Sequence, residues 1–365
     1  MTAEEANHSQ SETPKQDPMV ENPSALLEGL VLKNGWRVLK KINLSGETTG
    51  GRFFSLAYHA ENERGHRAFL KALDLNSALT EKTDEPVTKR LERVTTIHNF
   101  EVDLLEKCGT HGLNRVVRAL DHGEATVPGN VIPVPYLIFE LAKGDTHKAL
   151  ATMDTLDSVW IFNTLHDAAV GLQQLHGIGI AHKDFKPSNI LFFEEGHAKL
   201  ADLGRASMKG ITGPHDALIT ACQPHYAPPD HLYGFQPPNW ECKHLAADLY
   251  QLGAYAYFLF TKVPLTTVIL QNVSPTFRPT VFAGEYSEVL PSLKYALSNA
   301  LLGLQKVAPL QIADILTETV RQLCEPDPVV RGHPAEHAAR FGPKYAVRRF
   351  LSSFDRMRRI MEMEV

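Results

Sequence analysis

Cysteine is scarce in this chain. Cys108, Cys222, Cys242 and Cys324 are the only four in 365 residues, and no two form a CxxC pair. That excludes a disulfide framework or a zinc ribbon and reads as reduced thiols in a cytoplasmic protein. Long apolar runs are missing as well: none reaches the ~18 residues a membrane-spanning helix needs, so no transmembrane segment is expected. Neither sign of charge dominates, with 37 Lys+Arg against 42 Asp+Glu and a net charge of -5. Such a balance lacks the electrostatic footprint of a nucleic-acid binder. The opening MTAEEANHSQSETPKQDP is acidic and polar, so residues 1–24 are expected to be a disordered segment and not a signal peptide.

What is present is globular in composition, 43% hydrophobic and 22% charged. The length exceeds the size at which one core keeps growing, which predicts two lobes or domains. WRVLKKINL, FFSLAYH and HRAFLKALDL are separated by the short polar turns SGETTGG and AENERG. They predict an antiparallel meander. A helix is expected from about Pro86 to Cys108, then two short strands at VVRAL and YLIFEL. Beyond residues 140–145 the pattern turns helical. TLDSVWIFNTLHDAAVGLQQLHGIG closes on Gly177 and Gly179, and LAADLYQLGAYAYFLF is apolar nearly all round, the mark of a buried helix.

One stretch concentrates chemistry. AHKDFKPSNILFF places Asp184, Lys186 and Asn189 in a loop between a long helix and a short apolar strand, and Asp202 follows in KLADLGRA. Asn189 and Asp202 supply oxygen ligands suited to Mg²⁺, which also takes phosphate oxygens and water. Lys186 is a point charge suited to phosphate, and Asp184 stands beside them as a base. Phosphoryl transfer needs such a grouping, because its catalysis is mostly positioning and charge stabilisation.

HKDFKPSN resembles the HRDxKPxN catalytic loop of protein kinases, and Asp202-Leu203-Gly204 resembles their DFG. The resemblance implies an α+β, bilobal fold: a small antiparallel-sheet N-lobe with one main helix, and a larger, mostly helical C-lobe. It implies ATP and Mg²⁺ as cofactors and a protein substrate as partner. Asp184 would orient and deprotonate the substrate hydroxyl, Lys186 would neutralise the transferring group, and Asn189 and Asp202 would hold metal. For ATP, Lys71 in AFLK looks like the strand lysine that meets the nucleotide phosphates, and Glu101 like its helix partner. Gly46, Gly50 and Gly51 sit where the glycine-rich loop belongs, Phe139 at the gatekeeper position, and Glu140 to Ala142 at the hinge. YAPPD is similar to the APE motif with Asp230 as its acid, which Arg331 would pair, and Asp248 would support the catalytic loop from a buried helix. The implied layout is 25–141 N-lobe, 142–345 C-lobe and a basic amphipathic helix at 346–365.

The departures are specific. Thr48 replaces the second loop glycine and Phe69 an alanine over the adenine ring. Gln223 stands where serine/threonine kinases carry threonine, although Lys186-Pro187 points to serine/threonine substrates. Lys183 replaces the arginine of HRD and lacks its bidentate fork, so activity is expected not to depend strongly on activation-loop phosphorylation at Ser207, Thr212 or Thr220. A pseudokinase scaffold, cited from Thr48 and Phe69, and a small-molecule kinase are the alternatives. His333-Pro-Ala-Glu-His337 matches the HxxEH zinc pattern literally, without a third ligand, and Cys222 is either a redox-sensitive or an idle thiol. Val347, Phe350, Leu351, Phe354, Met357 and Met361 make one apolar stripe on the C-terminal helix, with Arg348, Arg349, Arg356, Arg358 and Arg359 around it. That stripe suits docking on the larger lobe, or else a partner or membrane surface.

Overall fold

The computed structural model describes residues 22–43, 54–153, 157–218 and 222–363. Gly46, Thr48, Gly50, Gly51, Thr220 and residues 1–21 lie outside them. Residues 22–24, expected to close the disordered segment, are packed instead. Asn22 caps a 3-10 turn at Pro23–Ala25, and the buried Ser24 hydroxyl donates to Leu73 O at 2.8 Å. The neighbouring Leu27 is fully buried beside Tyr58, whose own hydroxyl donates to Ser24 O, so the core holds this turn in place.

Strands β1 (Arg37–Ile42), β2 (Ser55–Glu61) and β3 (Arg67–Leu73) form the antiparallel meander. Side chains alternate across a strand. Ala68, Leu70 and Ala72 are fully buried in one apolar cluster, so Lys71 between them faces the opposite side. Helices α1 (Leu75–Thr80), capped by Asp74, and α2 (Val87–Thr110) follow. β4 (Ala119–Ala125) and β5 (Val134–Glu140) complete a five-stranded sheet of order β1-β2-β3-β5-β4. The strand expected at VVRAL therefore starts three residues late. Val116 and Val117 are buried and bind the other lobe, with Val117 N donating to Leu200 O at 2.7 Å. Their apolar pattern was that of a core linker.

Past Glu140 come β6 (Gly144–Asp145), α3 (Thr146–Ala151), α4 (Ser158–Gly177) and β7 (Ile180–Ala181). The short strands β8 (Ile190–Phe192), β9 (Ala198–Leu200) and β10 (Ser207–Met208) lead to α5 (Pro229–Leu232) and α6 (Trp240–Thr261). Helices α7 (Leu265–Asn272), α8 (Tyr286–Val307), α9 (Ala313–Leu323), α10 (Pro334–Ala338) and α11 (Arg348–Glu362) close the chain. The architecture is the expected α+β bilobal one. α6 is the axis of the larger lobe, buried from Leu245 to Phe260. Gly253 lets α9 approach it, since a Cβ there would lie 2.5 Å from Cys324 Sγ.

α11 is docked. Phe350, Phe354 and Met357 are buried against the larger lobe, where α11 packs on α4. Four of its five arginines are engaged locally: Arg348 and Arg349 reach Glu336 at 3.0 and 2.9 Å, and Arg358 and Arg359 reach Asp355 at 2.8 and 2.7 Å. Among the described residues no single helix is long and apolar enough to cross a membrane.

Candidate active site

The loop between β7 and β8 is built from α6. Asp248, fully buried, accepts from His182 N and Lys183 N, both at 2.8 Å, and from His176 Nε2 at 2.9 Å. Gln251, one turn on, accepts from Phe185 N at 3.1 Å and donates to Lys183 O at 3.2 Å. These bonds hold Lys183 at φ 63, a left-handed conformation that costs a non-glycine residue energy and persists only when surroundings impose it. Thr146 at the start of α3 fixes the far end, donating to Ile190 O at 3.1 Å and to Pro187 O.

Asp184 leaves this frame with its carboxylate divided. Oδ2 lies 2.7 Å from Lys186 Nζ and 3.3 Å from Asn189 Nδ2, while Oδ1 is buried without a hydrogen-bond partner. A buried carboxylate oxygen left unpaired is costly and marks a place where another donor is meant to sit. Burial raises the Asp184 carboxyl above its usual range, against the charges of Lys186 and Arg205. Asn189 also donates to Asp184 O at 2.9 Å, so its amide nitrogen is committed and its amide oxygen is the atom left for a ligand.

Asp202 follows β9 at φ 67, and its side chain is about half exposed. The segment is tied to the loop, with Ala201 N donating to Asn189 O at 2.8 Å and His182 Nε2 to Ala201 O at 3.1 Å. Across the cleft, Lys71 Nζ binds both oxygens of Glu101 at 3.0 and 2.8 Å and lies 3.6 Å from Asp202 Oδ1. Burial alone would lower the Lys71 ammonium, but Glu101 and Asp202 outweigh it and raise it. Burial works to raise Asp202, yet the neighbouring Lys71 and Lys186 charges prevail and push it down to about 2. An ionised Asp202 and the Asn189 amide are two oxygen donors, a set that fits Mg²⁺ completing its shell with water and phosphate.

The structure brings Asp184, Lys186, Asn189 and Asp202 together, and joins Lys71 and Glu101 to Asp202 from the smaller lobe. Phe69 and Phe139, on adjacent strands, stand with ring centroids 6.4 Å apart. Ala142 packs partly buried on the larger core. The Glu140 side chain turns from the cleft to the other lobe, taking Lys199 Nζ at 2.8 and 2.7 Å and Arg118 N at 2.8 Å. Further away, the fully buried Arg331 meets Asp230 Oδ1 at 2.5 Å and donates to Glu325 O, Ala246 O and Pro326 O.

The zinc pattern is used otherwise. His333 caps α10, His337 Nε2 donates to Arg331 O, and Glu336 binds two arginines. Among the described residues no group of three His, Cys, Asp or Glu is placed to hold a metal. Burial pushes the Cys222 thiol up to about 12, which suits the idle reading. Sequence reasoning missed Gln251, Lys199 and Asp216. Gln251 lies one helical turn beyond Asp248 and was recoverable from that spacing. Asp216 acts from a loop, where no periodicity exists to read, and Lys199 on β9 meets Glu140 at the end of β5 in the other lobe, a pairing local periodicity does not report.

The cleft of this bilobal chain gathers a lysine–glutamate pair with two aspartates, a lysine and an asparagine. The chain belongs to the protein kinase family, whose model, "Protein kinase domain", matches residues 76–296. The probable serine/threonine-protein kinase KCC4 of Saccharomyces cerevisiae is 31% identical over 34% of this chain and 12% of its own length. A calcium/calmodulin-dependent protein kinase kinase of Caenorhabditis elegans is 28% identical over 57% of this chain and 36% of its own. The serine/threonine-protein kinase STN8, chloroplastic, of Arabidopsis thaliana is 32% identical over 35% and 26%. The chain thus spans between about a tenth and a third of these relatives.

Proposed function

We propose that this chain transfers the γ-phosphoryl group of ATP, with Mg²⁺, to serine or threonine hydroxyls of a protein substrate, without strong dependence on phosphorylation of its activation segment. The observation that carries the reading is the free Oδ1 of Asp184, buried beside Lys186 while Oδ2 is held. A substrate hydroxyl donating to Oδ1 would be oriented and relieved of its proton. Lys186 and Lys71 supply positive charge on either side of the cleft, and Asn189 and Asp202 would hold the metal that neutralises the phosphates.

Independence from phosphorylation rests on the occupied state of Lys183, whose side chain is 3% exposed and whose ammonium contacts Asp216 Oδ1 at 3.2 Å. A scaffold without turnover is the second reading, favoured by Phe69 beside Phe139. The test is transfer of labelled phosphate from ATP to a generic serine/threonine peptide mixture, before and after phosphatase treatment, together with Asp184→Asn. Turnover that survives phosphatase and is lost in the variant supports the reading. ATP binding without turnover favours the scaffold, and absence of binding removes both.

A further inference from the structure

We infer that residues 22–36 form a brace that positions Lys71 and Glu101, so that the affinity of the cleft for the phosphates of ATP depends on how this segment is seated. The inference rests on the reading of Lys71 as a phosphate contact. The family match begins at residue 76, so the brace lies outside it.

The brace joins the two edges of the five-stranded sheet, whose outermost strands are β1 and β4. Asn34, in the turn that leads into β1, donates through Nδ2 to both carboxylate oxygens of Asp121 on β4, each at 2.8 Å. Backbone bonds tie the rest of the segment to β1 and its approach. Gly29 N donates to Val38 O at 2.9 Å, Val38 N to Leu30 O at 2.8 Å, and Leu32 N to Trp36 O at 2.8 Å. Leu27, Leu32 and Trp36 are buried in the apolar cluster that holds Leu70 and Ala72. Those two residues flank Lys71 on β3, so the brace fills the side of β3 that the ammonium does not face.

Its first residues reach the exit of β3. The Ser24 hydroxyl donates to Leu73 O at 2.8 Å and Asn22 Nδ2 to Asp74 Oδ1 at 3.0 Å, two and three residues beyond Lys71. Asp74 is 5% exposed and starts α1, accepting from Ser77 N at 3.0 Å and from the Ser77 hydroxyl at 2.6 Å. Leu73, Ala78 of α1 and Val94 of α2 are buried in one small cluster. Val94 and Glu101 lie two helical turns apart and share a face of α2. Hydrogen bonds and packed side chains therefore run without a break from Asn22 to Glu101, whose carboxylate holds Lys71 at 3.0 and 2.8 Å. One carboxylate, Asp74, fastens both the brace and the first helix of this path. Unseating Asn22 and Ser24 leaves the exit of β3 and the start of α1 held from one side only.

The test uses the full chain with Asn22→Asp, with Ser24→Ala, with both together, and with Phe354→Leu, which loosens the packing of α11 in the other lobe. Asn22→Asp keeps the shape and the acceptor for Ser24 N but sets a carboxylate against Asp74. ATP affinity with Mg²⁺ is read by titration calorimetry, and hydrogen exchange is followed over α2. The double variant is expected to bind ATP roughly 3- to 10-fold more weakly, the scale of one lost hydrogen bond. Exchange in α2 rises with it, and Phe354→Leu changes neither. ATP affinity equal to wild type in the double variant overturns the inference. So does a loss of affinity without faster exchange in α2, or an equal loss in Phe354→Leu, which belongs to general loosening of the fold. If wild type itself binds no ATP, the reading of Lys71 fails separately. Exchange then decides the brace: faster exchange in the double variant keeps it, and unchanged exchange overturns it.

Discussion

Asp184 Oδ2 and Lys186 Nζ stand 2.7 Å apart, while the other Asp184 oxygen is buried and unpaired. Asparagine at 184 keeps the size and the contact but cannot take a proton. Asp184→Asn is expected to lower turnover by about 10²- to 10⁴-fold, the usual range for removing a general base. ATP affinity, measured by titration calorimetry, should stay close to wild type.

Lys71 binds Glu101 with both carboxylate oxygens and approaches Asp202. Glu101 is 3% exposed, so Lys71→Met leaves a buried carboxylate without its cation. That unpaired group lowers folding stability, while loss of the Lys71 charge-assisted hydrogen bond to phosphate, worth roughly 1.5–3 kcal/mol, predicts ATP affinity weaker by roughly 10-fold or more. Glu101→Gln should be milder, because the amide still accepts from Lys71. Competition with a fluorescent nucleotide reads both.

The two aspartates shift in opposite directions, which separates their pH effects. Burial raises Asp184 above the ordinary 3.8, so activity that needs it ionised should fall on acidification at a pH above that value. Asp202 is lowered to about 2 and stays ionised through the same range, so it does not set that limb. The stability Asp202 gains from its lysines is present above 3.8 and is lost only as pH falls through about 2. The Lys186 charge lowers Asp184, and Lys186→Met should therefore move the acid limb of residual turnover to higher pH.

Arg331 and Asp230 are both essentially inaccessible, at 0% and 1%. Breaking such a pair from one side typically costs 3–5 kcal/mol. Arg331→Met should lower the urea-unfolding free energy by about that amount. Activity per folded molecule should fall less than in Asp184→Asn, since the pair lies outside the cleft.

The docked face of α11 predicts a stability role. Phe354 is fully buried, and Phe→Ala in a core costs about 3–5 kcal/mol. Deleting residues 346–365 should expose α4 and produce an aggregating protein. A soluble, equally stable truncation would instead mark the helix as dispensable to the fold.

Much of this molecule was legible before the coordinates. The resemblance of AFLK singled out Lys71, which the structure sets on the face opposite the buried Leu70 and Ala72, and the apolar run from Leu245 marked α6 as a buried helix. Clustered polar residues between two apolar flanks marked the loop around Asp184. The less legible parts share a cause. Val116 and Val117 have strand-like chemistry, but their partner is Leu200 in the other lobe. Asp216 meets Lys183 across irregular backbone, and Lys199 on β9 meets Glu140 at the end of β5, in the other lobe. Local pattern reports which face is apolar, and says nothing of which charge a distant loop will deliver.

The most direct measurement is single-turnover transfer of phosphate from ATP to serine/threonine peptides by the phosphatase-treated chain with Mg²⁺, wild type against Asp184→Asn. Transfer in the wild type, with loss in the variant at equal ATP binding, is the predicted result. Equal rates in both, or ATP binding without transfer in either, would contradict the role given to the free oxygen of Asp184.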